Sequence, residues 1–567
     1  MRSTSLTSPH RTRLLTGGTM AAAATMALGV LAGTAPAVAA TSSPAQVKAP
    51  VPVLDWQPCG VGLEAFLCAS AEVPEDYDEP AGSTTTIALT KLPATDPARR
   101  IGTLFTNPGG PGGPGVDFVW AAGQTAYTPE VLARYDVLGF DPRGVGASDP
   151  ATCFRTVEEE NAAFADVPAF PVTDREERRY IGTMARVGRK CALISGDRIS
   201  HASTANVARD MDLLRQAVGD DRLHYVGYSY GTFLGATYAK LFPGRVGRFV
   251  LDGTLEPRRY VGTTGAPSSL GARTGQGLAA SETFAEFLRL CAEAGPDACA
   301  LAALGDPATV VEQTFERLRT DPVSLPVGDG QVVEVTYDRL VAELFSAMYQ
   351  PEGWSEVAAI IAFVALESAA TTAPLSAGAA AAVARVERGE TDFPDRPRRG
   401  AQDYSGLGAA LASLCVDTEH PLEPSQYAAL ADEQDAAAPH FGRFRAWVGV
   451  QCEFLPVDDE DAYTGPWKQT TRAPVLVIGT RFDPATPYEA TRPYAALWPN
   501  ARVLTVEGYG HTILGKSACA DEAVARYLVD GTRAVATCDQ DLAPFSPEPL
   551  RTAATRPQVT TQVPALP

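Results

Sequence analysis

No Cys-x-x-Cys pair and no grouping of cysteine with histidine occurs along the 567 residues, so no metal is expected. Beyond the first forty residues there is no apolar run of the ~20 residues that a bilayer-crossing helix needs. Positive charge is scarce: 47 Lys and Arg stand against 67 Asp and Glu, a net charge of −20. A surface so acidic repels phosphate backbones and anionic lipid, which disfavours nucleic-acid and membrane partners. Charge alone says nothing of chemistry. Histidine is rarer still, with six in the chain, which leaves few candidates for proton transfer. No internal repeat is present.

What the N-terminus does hold is Arg2, Arg11 and Arg13 without an acidic residue, the small apolar run Met20–Gly33, and Ala37-Val38-Ala39. A charged region, an apolar region and an A-x-A site in that order predict a signal peptide over residues 1–39. The run is too short and too rich in Ala and Gly for a membrane anchor. With no Arg-Arg pair in the leader and no cysteine at the cleavage point, twin-arginine and lipoprotein routes are disfavoured. The mature protein is expected to be soluble and secreted, its charge taken to −23 by loss of the three arginines. Ten cysteines, an even number, agree with an oxidising compartment. Connectivity does not follow from sequence; our hypothesis is adjacent pairing, 59–68, 153–191, 291–299, 415–452 and 519–538.

Strand and helix patterns alternate in the first half of the chain. Thr84–Leu92, Ile101–Thr106, Tyr135–Phe140, the segment from His224 to Val226 and Arg248–Leu251 read as strands, and Ala205–Val218 has helical spacing. This order predicts a mostly parallel sheet covered on both faces. From about Glu256 to Thr470 the chain reads as Ala-rich helices, among them Phe284–Ala294, Thr309–Leu318, Tyr337–Met348 and Val357–Leu366. A Gly328-Asp329-Gly330 turn suggests a hairpin among them. Strand chemistry returns at Pro474–Ile478 and Val503–Val506. The expected organisation is a core over 40–255, a helical lid inserted over 256–470, the rest of the core over 471–545 and a flexible Pro/Thr-rich tail over 546–567. A separate all-helical domain is the alternative to a lid.

Gly227-Tyr228-Ser229-Tyr230-Gly231 is the single G-x-S-x-G of the chain, set between an apolar strand and the helical segment Thr232–Leu241. A strand turning sharply into a helix holds the serine oxygen above the sheet, with glycines removing side chains that would clash. A serine hydroxyl needs a base. Of the six histidines, His10 leaves with the leader, His201 precedes a helix, His224 lies inside a strand, and His420 and His440 fall in the lid. His511 follows the last strand in a glycine-flanked loop and is the candidate base. Asp483, just past the strand Pro474–Ile478, is the candidate acid, and the order Ser, Asp, His is the one this architecture uses. Asp252, after the strand that follows the elbow, is a competitor, more simply read as tying down the loop that leads into the lid. An oxyanion needs preorganised N–H donors. Tyr230 supplies one by its position after the serine; Gly110, then Gly109, in the loop Asn107–Gly115 is the candidate for the second.

Taken together, Gly109-Gly110-Pro111-Gly112, Asp141-Pro142-Arg143-Gly144, the Gly-Tyr-Ser-Tyr-Gly elbow and Arg481–Pro487 resemble the prolyl-aminopeptidase-like hydrolases. The closer likeness is to their larger secreted branch, the bacterial tripeptidyl aminopeptidases, from about Leu54 to Cys538, and it includes Leu414–Asp417. Prolyl iminopeptidases usually carry His before Gly-Gly-Pro-Gly, where this chain has Asn107-Pro108, which argues against strict proline specificity. The resemblance implies an α/β-hydrolase fold with a helical lid, no cofactor, and release of short peptides from free N-termini of peptides or proteins. A secreted esterase or lipase with the same residues is the runner-up, and a non-catalytic binding protein the third reading. A cationic amino terminus calls for carboxylates at the end of a closed chamber. Glu256, Asp417, Glu419 and the Asp458-Asp459-Glu460 run are the candidates. Asp417 and Glu419 rank first, because a Cys415–Cys452 bridge would hold them rigid.

Overall fold

The strands that read as continuously apolar form the middle of the sheet, and the one that alternates lies towards its edge. The computed structural model describes residues 48–546 apart from 264, 266, 327–331, 369–376, 388–405, 514 and 533–534. Its strands are β1 (Gln57–Pro58), β2 (Leu67–Pro74), β3 (Thr84–Leu92), β4 (Gly102–Asn107), β5 (Tyr135–Phe140), β6 (Leu223–Tyr228), β7 (Val246–Asp252), β8 (Val323–Pro326), β9 (Val332–Val335), β10 (Val475–Phe482), β11 (Arg502–Tyr509) and β12 (Thr537–Asp539). Ten of them make one sheet in the order β1-β2-β3-β5-β4-β6-β7-β10-β11-β12. The first three pairings are antiparallel, and every one from β5 onward is parallel. β4 is buried at every position, as a strand covered on both faces must be, whereas β3 alternates. This is the α/β architecture expected, with β1, β2 and β12 added at the edges where the sequence pattern is short or mixed.

Register brings the functional segments to one edge. Tyr228 of β6 lies beside Asp252 of β7, and Asp252 beside Ile478 of β10. The carboxyl ends of four neighbouring strands, β4, β6, β7 and β10, thus open into the loops carrying Gly110, Ser229, Asp252 and Asp483.

Between β7 and β10 the described chain is mainly helical, with β8 and β9 forming the expected hairpin; its turn lies outside the described residues. The helices Gln276–Ala294, Pro307–Leu318, Tyr337–Ala347 and Trp354–Glu367 surround a second apolar core containing Phe287, Phe315, Phe345 and Trp354. The sequence reading missed one contributor. The long helix Asp174–Ile199, started by a capping box of Thr173 and Glu176, sends Tyr180 and Met184 into this core. The cap is therefore assembled from two stretches of chain. All five adjacent cysteine pairs are within bonding distance, and no cysteine is free. No described helix is long and apolar enough to cross a membrane. The proposed leader and nearly all of the proposed tail lie outside the described residues.

Immediately before that tail, Phe545 is 5% exposed and packs on Phe287 of the cap core, ring centroids 5.5 Å apart. Phe545→Ala should destabilise the protein by about 3 kcal/mol, the scale of a buried aromatic truncation. Thermal or urea unfolding checks it, and an unchanged midpoint would mean that Phe545 carries no stability.

Candidate functional site

Ser229 leaves β6 with φ 54° and ψ −122°, a strained conformation for a residue with a side chain. Three hydrogen bonds to its backbone hold it, one of them from a side chain. Ser229 N–H donates to the Asp252 carbonyl at 2.9 Å, while the Ser229 carbonyl accepts from Thr232 N and Oγ1 at 2.8 and 2.6 Å. Close packing fixes the elbow: a Cβ at Gly227 would lie 2.4 Å from the Gly231 carbonyl oxygen. Ser229 itself is only partly buried.

The loop after β4 lies directly on this turn. Gly109 has φ 100°, and a Cβ there would meet Tyr228 O at 2.5 Å, Ser229 Cβ at 2.9 Å and Tyr230 N at 3.2 Å. The Gly109 N–H donates to Asn107 Oδ1 at 3.0 Å, whereas the Gly110 N–H bonds to no described residue. Tyr230 N–H opens the helix Tyr230–Leu241, where first-turn donors have no intrahelical partner. The glycine loop and the first turn of this helix thereby lie side by side at Ser229.

On the other side, His511 Nδ1 lies 3.0 Å from each oxygen of Asp483. Asp483 Oδ1 also accepts from Ala485 N and Thr486 N, both at 2.9 Å, and Oδ2 from Thr486 Oγ1 at 2.8 Å. Burial alone would raise the Asp483 pKa. The His511 charge and the hydrogen bonds from His511 and Thr486 outweigh burial and hold the carboxyl below its ordinary range. A Cβ at Gly253, next to Asp252, would be 3.2 Å from His511 Cε1, so the imidazole stands over the end of β7 beside the elbow.

Asp252 is at the site but not on the imidazole. Its Oδ2 accepts from Ile513 N at 2.9 Å, and its buried Oδ1 has no partner among the described residues. It ties the His511 loop to β7 rather than the loop leading into the cap. Burial pushes its pKa up to about 7.

The candidate amine-binding carboxylates do not converge. Asp417 is buried, taking Thr204 N at 2.9 Å and Thr204 Oγ1 at 2.5 Å, and Thr204 Oγ1 also bonds the Tyr230 hydroxyl. Burial pushes Asp417 up to about 7. Its oxygens are spent on the support behind Tyr230. Glu419 is exposed, with its backbone N–H on the Val261 carbonyl at 2.6 Å. Asp459 accepts from Ser203 N and Asn206 Nδ2, and Glu256 from Arg258 and Arg259 N, so both are used internally. Asp458 and Glu460 are exposed. A rigid bridge next to Asp417 was a poor guide, because the partner that claims the carboxylate is 213 residues away.

Sequence reasoning also missed three residues. Thr486 grips Asp483, and a hydroxyl three residues after the acid is the kind of local signal that could have revealed it. Tyr349 of the cap stands edge-on to His511, ring centroids 4.8 Å apart, and its carbonyl accepts His511 N–H at 3.0 Å. Half-buried Lys516 donates its Nζ protons to the carbonyls of Tyr349, His511 and Thr512 at 3.1–3.2 Å. Nothing in the sequence marks either of the last two.

Comparison with known proteins adds the lineage. Residues 103–278 match the family described as alpha/beta hydrolase fold, and 438–538 that described as TAP-like protein. The chain is 32% identical over 540 residues to serine protease Hip1 of Mycobacterium tuberculosis, covering 90% of this chain and 95% of that protein. It is 29% identical over 489 residues to tripeptidyl aminopeptidase of Streptomyces lividans, 84% of each chain. Carboxylesterase B of Mycobacterium tuberculosis is 30% identical over 535 residues, with 90% and 96% covered.

The two buried acids separate by substitution. Asp252→Asn keeps an acceptor for Ile513 and removes a buried charge. The native carboxyl keeps its proton up to about pH 7, the unfolded one only to about pH 4, so native stability falls as pH rises between them. Asp252→Asn should therefore melt above the wild type at pH 8 and lose that advantage towards pH 4. Asp483 has the opposite sign: its stabilisation is present at neutral pH and lost in acid, so Asp483→Asn should melt lower at pH 8. It should also lose on the order of 10⁴-fold in kcat. Thermal melts and kcat on both variants check this; a greater kcat loss at Asp252→Asn would reverse the two roles.

Proposed function

Because the chain belongs to the α/β-hydrolase serine peptidase family, we propose that it is an exported exopeptidase releasing short peptides, tripeptides first, from free N-termini. Ser229 is the nucleophile, His511 the base and Asp483 the acid. The observation that carries the reading is the buried His511–Asp483 pair standing beside the Ser229 elbow under a helical cap. With Nδ1 held by Asp483, the His511 Nε2 is left to take the serine proton as Oγ attacks the scissile carbonyl. Asp483 stabilises the imidazolium. The amides of Gly110 and Tyr230 receive the oxyanion, and His511 then protonates the leaving amine. Water repeats the sequence on the acyl-enzyme.

A cap over the site supports the exopeptidase reading, since a triad by itself hydrolyses acyl bonds without regard to distance from a terminus. The likeness to a tripeptidyl aminopeptidase supports the length released. The disulfide pairs and the predicted leader support export. The likeness to a carboxylesterase favours a second reading, an esterase acting through the same residues.

Ser229→Ala should abolish fluorophosphonate labelling and cut kcat by on the order of 10⁴-fold or more. Acetylating the substrate amine should lower kcat/KM sharply for tripeptidyl substrates. Equal turnover of free and acetylated substrates would reject the exopeptidase and favour the esterase.

A further inference from the structure

Four arginines are buried among the described residues: Arg143, Arg215, Arg443 and Arg445. Three have a carboxylate. Arg143 pairs with Asp210 at 2.6 Å, Arg215 with Asp212 at 2.8 Å, and Arg443 with Asp432. Arg445, 7% exposed in the cap helix Phe441–Ala446, makes no ion pair with any described residue. Its Nε and Nη2 both donate to one neutral acceptor, Gln276 Oε1, at 3.1 and 2.6 Å. Its charge lies over the rings of Phe345 and Phe444, 4.7 and 5.1 Å from their centroids. The remaining nitrogen, Nη1, bonds to no described residue and is not among the polar atoms sealed from solvent.

The position of this lone charge ties it to the chemistry. Gln276 Nε2 donates to the Ala485 carbonyl at 3.0 Å, and Ala485 N–H donates to Asp483 Oδ1 at 2.9 Å. Phe345 packs edge-on against Tyr349, which in turn stands on His511. Arg445 is thus linked, through Gln276 and through Phe345, to the two elements that flank the imidazole, the acid loop and the Tyr349 end of the cap. Burial lowers its pKa to about 10, so the guanidinium stays cationic at neutral pH. The titratable groups that act on it are the phenols of Tyr349 and Tyr180, which burial keeps protonated and neutral. A buried cation without a counter-charge costs stability, and the same fold pairs its other three.

Resting on the reading of the site given above, we propose that Arg445 is an anion-recognition site of the catalytic chamber that receives a carboxylate of the bound peptide. The fork presents Nη1 with Nη2 beside it, the geometry that suits a planar carboxylate. That carboxylate has two sources, the free C-terminus of a short peptide or an Asp or Glu side chain. The protein would then prefer short or acidic peptides over neutral, C-terminally blocked ones.

The test is competition with fluorophosphonate labelling of Ser229, which needs no turnover and so stands apart from the exopeptidase assay. The competitors are one tetrapeptide as free acid and as C-terminal amide, and the amide form with Glu in place of Gln at each position. Wild type should be protected at about tenfold lower concentration by a carboxylate-bearing member. The acid–amide pair reports the C-terminus, and the Glu–Gln pairs report a side chain. Arg445→Met should erase the difference and Arg445→Lys keep part of it. Arg445→Met should also melt at or above the wild type, because it removes an unpaired buried charge. Equal protection by acids and amides in the wild type would overturn the proposal. So would a preference that survives Arg445→Met, or a marked drop in its melting temperature, which would make Arg445 a structural residue.

Discussion

Ser229 occupies a backbone conformation that a residue with a side chain avoids, and the rest of the site is arranged around keeping it there. The strain is held by contacts on every side. Asp252 accepts its N–H, Thr232 takes its carbonyl with two donors, and Gly227 and Gly231 let strand and helix approach to where a Cβ would collide. Farther along the same helix, a Cβ at Gly235 would lie 2.6 Å from Leu251 Cδ2, so the helix rests on the sheet itself. Close seating of this helix fixes the height of the serine over β6. The neighbours of β6 are β4 and β7, so the glycine loop and Asp252 arrive beside it without further instruction. β10 and β11 continue the sheet and bring Asp483 and His511 to the same edge.

The cap is coupled to this edge through the base. Tyr349 offers His511 an edge-on ring contact and a backbone acceptor, and Lys516 gathers carbonyls from both sides of the join. A cap merely resting on the sheet would leave the imidazole indifferent to its position. Here the peptide group of His511 is hydrogen-bonded to the cap, so any movement of Tyr349 is felt at the proposed base. The second apolar core, drawing on the helix Asp174–Ile199 as well as on the insertion, makes the cap a stable body that can hold Tyr349 and Arg445 in place.

Elements governed by local pattern were legible in the sequence. β5 was read to the residue, the helices Thr204–Ala217 and Pro307–Leu318 within two residues, and the elbow from five letters and their flanks. The helix Asp174–Ile199 was not, because Tyr180, Met184, Val187 and Cys191 are set among so many charges that the apolar face is thin. Phe545 was assigned to the end of the core, but its partner Phe287 lies far away in sequence and could not be foreseen. The carboxylates failed for the same reason. A free acid and a fully engaged one look alike until the fold supplies the donor, as Thr204 does for Asp417.

Three buried carboxylates near the elbow differ by environment, not residue type, and environment sets the proposed acid apart. Asp252 receives a single backbone donor and Asp417 receives only Thr204, all of it neutral; burial dominates and both are pushed up to about 7. Asp483 is as deeply buried, yet it collects two amides and a hydroxyl, and of the three it alone is hydrogen-bonded to the imidazole. Only a carboxylate that is ionised at neutral pH can stabilise an imidazolium forming beside it. The hydrogen bonds that Ala485 and Thr486 give to Asp483 therefore do more than fix its geometry. They favour the ionised form of Asp483 over that of the other two, as its proposed service to His511 requires.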